Sequence, residues 1–437
     1  MVKESTFEEW KEWFVTVNQP SIAEMWRNQP TFLLANVLYL TMAAAALKFA
    51  VRNGGWNSRY TYMWFAALLH GIVTECVVYH LPDVNNFWHS QTPIIFVGKR
   101  FPLYIVLFYP ATITHAFIAA EKLRLPWFVE PFAVGLFDVI IDFPYDIMGI
   151  KLLWWTWHDT DPNIADRHYW VPWTSYFFHM GFHSSFAALL CGSRYLLTGS
   201  ADKQKSSGSF VLEMLCVIIT GALSMAAAVI FQMLPIYHGL KDGFGIHSEV
   251  ILFVVFALYA GIVLWFDRVP SEEARGNYQT PLSWTKRVFN ESSLLIAIHY
   301  LFYMVLVVFA KPENEKSYGM HEPIGPASVK VDQYATSGVV YTKQKYLDPT
   351  NYDEGYFDFR CTELGEVKGT PNITAMPELV GEQWYAVCGI PFSNHAEYIV
   401  VVWSFCLLGL YAFYNAHARS ARPPTKRKVG KLRGKSD

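Results

Sequence analysis

The chain reads as an all-α protein, a polytopic helical membrane bundle of about nine transmembrane helices. Three observations lead there. Only 16% of the residues are charged and 52% are hydrophobic, against roughly 25% charged in a soluble domain. Nine apolar runs reach the roughly 20 residues that a helix needs to cross the hydrocarbon core. Basic residues fall in alternate connections between those runs, as they do when cytoplasmic loops carry the positive charge.

The runs are Phe32–Ala50, Tyr60–Tyr79, Phe101–Ala120, Pro131–Ile150, Val171–Cys191, Phe210–Leu234, Val250–Phe266, Leu294–Ala310 and Tyr398–His417. The fourth is the weakest by hydropathy because it holds three aspartates. Ahead of the first run, residues 1–30 are acidic (Glu4, Glu8, Glu9, Glu12) and place Phe7, Trp10, Trp13, Phe14 and Val17 at helical spacing. This predicts an amphipathic helix on the exoplasmic membrane surface and no cleavable signal peptide. Residues 31–310 then form an eight-helix core, 311–397 an exoplasmic loop, 398–417 the ninth helix and 418–437 a basic cytosolic tail.

Arg52 and Arg59, Lys122 and Arg124, Arg194, Lys203 and Lys205, then Arg268, Arg275, Lys286 and Arg287 share one side under this topology, with the tail from Arg419 to Lys435. Lys99 and Arg100 fall on the other. The exoplasmic loop holds Cys361 and Cys388, while Cys76, Cys191, Cys216 and Cys406 lie within apolar runs. Two cysteines alone in an oxidising compartment predict a disulfide. The same loop carries Asn372-Ile373-Thr374, a glycosylation acceptor, whereas Asn290-Glu291-Ser292 would be cytosolic and unusable. The tail ends Arg433-Gly-Lys435-Ser-Asp437, similar to cytosolic dibasic retrieval signals of the endoplasmic reticulum. A juxtamembrane patch attracted to anionic headgroups is the simpler reading. Endoplasmic reticulum and plasma membrane both stay open; nucleic acid is not an expected partner, and membrane lipids are.

Asp138, Asp142 and Asp146 recur at intervals of four inside the fourth run, and His179 and His183 do the same in the fifth. Spacing of four places each set on one helix face. Ionisable groups at this depth are costly and mark sites or pathways. Glu75 and His70 in the second run, with His80, and the polar connections holding His158, Asp159, Asp161, Asp166, Arg167 and His168, then Tyr237, His238, Asp242, His247 and Glu249, join the candidate site. Three stacked carboxylates need a proton, a histidinium or a metal. His179, His183 and Asp142 suit zinc or non-haem iron; a hydrogen-bonded polar core with no metal is the competing reading. A membrane desaturase or hydroxylase is disfavoured, since the iron sites of such enzymes use paired His-His boxes and the chain has no adjacent histidines.

Asp142-x-x-Tyr-Asp146-x-x-Gly149, Trp154-Trp155-x-Trp157-His158 and Tyr169-Trp170-Val171-Pro172-Trp173-x-x-Tyr176, with Glu75 as an earlier acid, resemble the integral-membrane carotenoid hydratase family. The likeness runs from Gly71 to His179, about a quarter of the chain. It implies a core that handles a long isoprenoid or lipid, with acids delivering a proton to an alkene. The ninth span and the cysteine-bearing loop depart from that pattern. Ile22-Ala23-Glu24-Met25-Trp26 is similar to the start of alkaline ceramidases, which are zinc amidohydrolases. Their early Ser-x-x-x-His is missing here, and His179-x-x-x-His183 is mid-chain rather than late.

Two functional classes follow. One is an enzyme acting on a membrane-dissolved lipid or isoprenoid by proton transfer or metal-assisted chemistry, with Glu75, Asp138, Asp142, Asp146, His179 and His183 in its site. The other is a proton- or cation-coupled transporter using the same groups as relays. A non-catalytic protein with a structural polar core would look the same at this level.

Overall fold

The computed structural model describes residues 7–81, 83–157, 161–199, 208–267, 288–361 and 380–419. Asn372, His158, Asp159 and the tail beyond Arg419 lie outside the described residues.

In chain order the elements are α1 (Phe7–Phe14), β1 (Val15–Val17), α2 (Ile22–Asn28), α3 (Pro30–Gly54) and α4 (Arg59–His80). There follow β2 (Phe87–His89), β3 (Ile94–Phe96), β4 (Phe101–Pro102), α5 (Leu103–Lys122), α6 (Glu130–Lys151) and β5 (Trp155–Trp157). Next come β6 (Arg167–His168), β7 (Val171–Pro172), α7 (Trp173–Thr198) and α8 (Phe210–Ala228), which runs through a π-helical stretch, Val229–His238, into α9 (Gly239–Phe244). The chain continues with α10 (Ser248–Asp267), α11 (Glu291–Phe309), β8 (Lys316–Met320), β9 (Lys330–Tyr334), β10 (Val340–Gln344), β11 (Phe357–Asp358), β12 (Trp384–Gly389) and α12 (His395–Arg419).

Each of the nine apolar runs falls on a helix to within two residues. Local signals set several starts: Ser58 caps α4 through the Thr61 amide, and Asn290 and Ser293 form a reciprocal capping box on α11. Among the described residues, seven helices are long and apolar enough to cross a membrane, namely α3, α4, α5, α8 with its extension, α10, α11 and α12. The chain is a membrane protein on that ground. Helices α6 and α7 have the length, at 22 and 26 residues, but are diluted by their acids and histidines. Packing explains why α6 tolerates this. Residues 133 to 151 are all buried, so the helix is enclosed by its neighbours and no lipid-facing stripe is required of it.

The extension of α8 corrects one expectation. Tyr237, His238 and Asp242 belong to a continuous 35-residue helix, Phe210–Phe244, rather than to a loop. Pro235 lacks an amide hydrogen, so the regular ladder fails there and the helix widens into π turns.

Small antiparallel sheets cover one end of the bundle, which an all-α reading did not foresee. β2 pairs with β5, β3 with both β1 and β4, and β6 with β7. The 311–397 segment adds a sheet ordered β11-β12-β8, in register Trp384↔Met320 to Cys388↔Lys316, and the β9–β10 hairpin. Cys361 and Cys388 form a disulfide, with their Cα atoms 5.7 Å apart. Arg100, out of place in the charge pattern, is buried in this cap. Its guanidinium donates to Asn85 Oδ1 (2.6 Å) and the Phe87 carbonyl (3.0 Å) and lies over the Tyr79 and Trp88 rings. It is a structural cation, and it carries no information about orientation.

Candidate functional site

The site is assembled where α6 and α7 touch. A Cβ on Gly135 would sit 2.5 Å from the Met180 carbonyl oxygen, so glycine permits the close approach of the two helices. One turn further on, Asp138 meets α7. His183 Nδ1 and Asp138 Oδ2 are in a short direct contact, and His179 Nδ1 lies 3.7 Å from the same oxygen. His179 Nε2 faces the next acid, 3.2 Å from Asp142 Oδ1. Ser175 Oγ donates to Asp146 Oδ2 at 2.7 Å. Rungs on α6 thus match rungs on α7: Asp138 with His183, Asp142 with His179, Asp146 with Ser175.

Sequence reasoning missed Ser175, although Ser175-x-x-x-His179-x-x-x-His183 repeats the spacing that singled out the histidines. His70 also belongs here. Its Nδ1 shares a hydrogen bond with Ser224 Oγ at 2.8 Å, and its ring stands edge-on to His183 with centroids 5.6 Å apart. Pro144 lies within α6 between the second and third acids and has no amide hydrogen to give to the helical ladder. The Ile141 carbonyl, in the turn before it, accepts from His299 Nε2 at 3.1 Å.

The three carboxylates are 1–2% exposed. Asp138 is held by imidazole and Asp146 by a hydroxyl. Neither oxygen of Asp142 has a hydrogen bond of good geometry, although oxygens of Asp142 and Asp146 and a nitrogen of His179 lie within 4.8 Å of one another. Among the described residues, the cationic or potentially cationic groups in ion-pair range of this ladder are His179 and His183. Like charges this close in a low-dielectric interior repel strongly unless something compensates.

A cavity of about 180 Å³ abuts the ladder. Asp146, His179 and His183 are in its lining, as is Glu75 from α4. The lining is largely apolar, with Val78, Ile105, Phe108, Phe178, Phe182 and Met225 among it. Glu75 Oε1 accepts from Tyr109 at 2.9 Å, and Glu75 Oε2 is 3.7 Å from His89 Nε2. Tyr109 reaches it because Gly71 leaves room: a Cβ there would be 2.4 Å from the Tyr109 ring. The π-helical stretch supplies Val229, Met233, Tyr237 and His238, and the β9–β10 tip supplies Tyr334, Ala335 and Thr336 at the outer end.

Other expected members lie elsewhere. His80 is exposed and bonds the Cys76 carbonyl; His247 and Glu249 are exposed. His168 contacts Tyr176, at 3.4 Å, and Trp173. Asp161, Asp166 and Asp242 are tethers of the cap. Asp161 accepts from Gln333 (2.7 Å) and Asn86 (3.3 Å), Asp166 from Ser248 (2.9 Å), and Asp242 from Tyr341 (2.5 Å) and Ser337 (2.7 Å).

No curated protein and no solved structure matches the chain. One family model does, described as a domain of unknown function, DUF7802, and it matches residues 3–418. With nearly its whole length inside that match, the chain belongs to the DUF7802 family.

Proposed function

We propose that this protein is a membrane-embedded enzyme that modifies a lipid or isoprenoid dissolved in the bilayer. One observation carries the reading: a largely apolar cavity has carboxylates and imidazoles together in its lining, Glu75 from α4, Asp146 from α6, and His179 and His183 from α7. An apolar chamber with a few convergent polar groups is the usual form of a small-molecule site. Glu75 is suited to exchange a proton with the substrate, and the Asp–His wall to stabilise charge developing at the reacting bond. The likeness of the Asp142–Tyr176 stretch to carotenoid hydratases supports a proton-delivery reaction at an alkene.

In this reading α6 and α7 also cross the membrane, giving nine spans. The capped end faces the lumen or exterior, the N-terminus lies on that side and the C-terminus in the cytosol of an endoplasmic-reticulum or plasma membrane protein. A transporter built on the same ladder is less well supported. The helical residues lining the cavity come from the half of each helix nearer the cap, as in a one-sided reaction chamber. Lipid profiling of cells that lack the protein tests the proposal. A lipid species should accumulate, clear on re-expression of the wild type, and persist with Glu75→Gln. An unchanged lipid profile with altered ion or proton flux would favour the transporter.

A further inference from the structure

We infer that Asp142, Asp146 and His179 bind a divalent transition-metal cation at the inner wall of the cavity. The inference deepens the proposed function by naming what the Asp–His wall holds. Three features converge. Oxygens of two buried carboxylates and an imidazole nitrogen lie within 4.8 Å of one another. His179 Nε2 and Asp142 Oδ1 are 3.2 Å apart, as expected for donors about 2.1 Å from one ion at tetrahedral or octahedral angles. Neither Asp142 oxygen has a hydrogen bond of good geometry although the residue is almost fully buried, and its near neighbours are the His179 imidazole and a second carboxylate, Asp146, a costly state for a carboxylate unless a cation joins them.

The surroundings are those of a supported metal site. Asp138 Oδ2 lies 3.7 Å from His179 Nδ1, the place of the carboxylate that orients a ligating imidazole. His183 in turn grips Asp138, and Ser175 donates to Asp146. His183 therefore acts behind the ligands, in contrast to the His179, His183 and Asp142 set expected from spacing. A dication also neutralises the two ligating carboxylates, which the histidines do not do together, since His183 is committed to Asp138. Mixed oxygen and nitrogen donors suit zinc, manganese or iron(II). Asp146 and His179 line the cavity, so positions left open on the ion would point toward a bound substrate.

The test uses purified full-length protein in detergent, stripped with a chelator, reloaded separately with Zn²⁺, Mn²⁺ or Co²⁺, and desalted before elemental analysis. At least one of the three ions should be retained at about one per chain, and retained Co²⁺ should show the visible absorption of a nitrogen- and oxygen-ligated ion. Asp142→Asn and His179→Phe should abolish retention, while Asp138→Asn should weaken it roughly 10–100-fold, as expected of an orienting carboxylate. Retention below about a tenth of an equivalent for all three ions overturns the inference. So does undiminished retention in Asp142→Asn, which would leave a proton shared between Asp142 and Asp146 as the compensating species. Binding of a photoreactive lipid in the cavity can be followed in the same samples. Lipid labelling without metal would reject the cation and leave the enzyme reading standing.

Discussion

At the scale of single residues, the ladder separates groups the fold uses from groups it merely accommodates. Asp142 makes no hydrogen bond of good geometry, so Asp142→Asn should abolish activity and, compared in metal-free protein, leave thermal stability unchanged or raised. That is the pattern of a functional group held against its own stability. His183→Phe should behave oppositely. It strands Asp138, buried at 1% exposure, and loss of one partner of a buried pair costs about 1–3 kcal/mol or more. A thermal melt of both variants beside the lipid assay checks the contrast; equal destabilisation would make the ladder a structural network. Gly135→Ala should also destabilise, by about 1–3 kcal/mol, because its Cβ would meet the Met180 backbone rather than a side chain that can move.

How much of this was readable depended on the kind of signal. Asp138, Asp142, Asp146, His179 and His183 stood out by type and spacing, and the structure places them on facing rungs. Which imidazole meets which acid was beyond the sequence, because the register between α6 and α7 is fixed by the Gly135 approach. Tyr109 and His89 escaped notice because they reach Glu75 only through tertiary packing.

Among the elements, the seam between cap and bundle carries a pH-sensitive group. Glu315, just after α11, is buried against the start of α3, and burial pushes its carboxyl up to about 8 despite bonds from the Thr31 hydroxyl and amide. The folded state therefore holds a proton that the unfolded chain, near 4.5, gives up. Its stabilising contribution is complete below about pH 4.5 and declines as the pH rises through about 8. Melting temperatures should fall across that interval in the wild type and flatten in Glu315→Gln; an equal fall in both would assign the effect elsewhere. Apolar periodicity predicted the helices, whereas the cap's short strands carry too few residues for a pattern to register. The helical continuation past Leu234 was hidden by Pro235, which usually ends a helix and here is absorbed in π turns.

Over the whole molecule, the bundle, the cap and the disulfide make one enclosure. Cys361–Cys388 closes a loop with a sequence separation of 27, so reduction should cost on the order of 3 kcal/mol, seen as a lower melting temperature with reductant. Free thiols at both positions in protein recovered from cells would contradict the pairing. Topology is tested by a glycan on Asn372 with none on Asn290, together with a cytosol-dependent reporter that works at the C-terminus. A lumenal tail would invert the arrangement. Central to the account is a cavity that admits a membrane lipid, and photolabelling with a diazirine-bearing isoprenoid addresses it most directly. Labelled peptides should map to Thr74–Val78, Phe108–Tyr109 and Phe178–Phe182, and labelling there should drop when Val229→Trp fills the chamber. Labelling confined to exposed outer positions such as Leu34, Val254 and Leu258, unaffected by Val229→Trp, would contradict it.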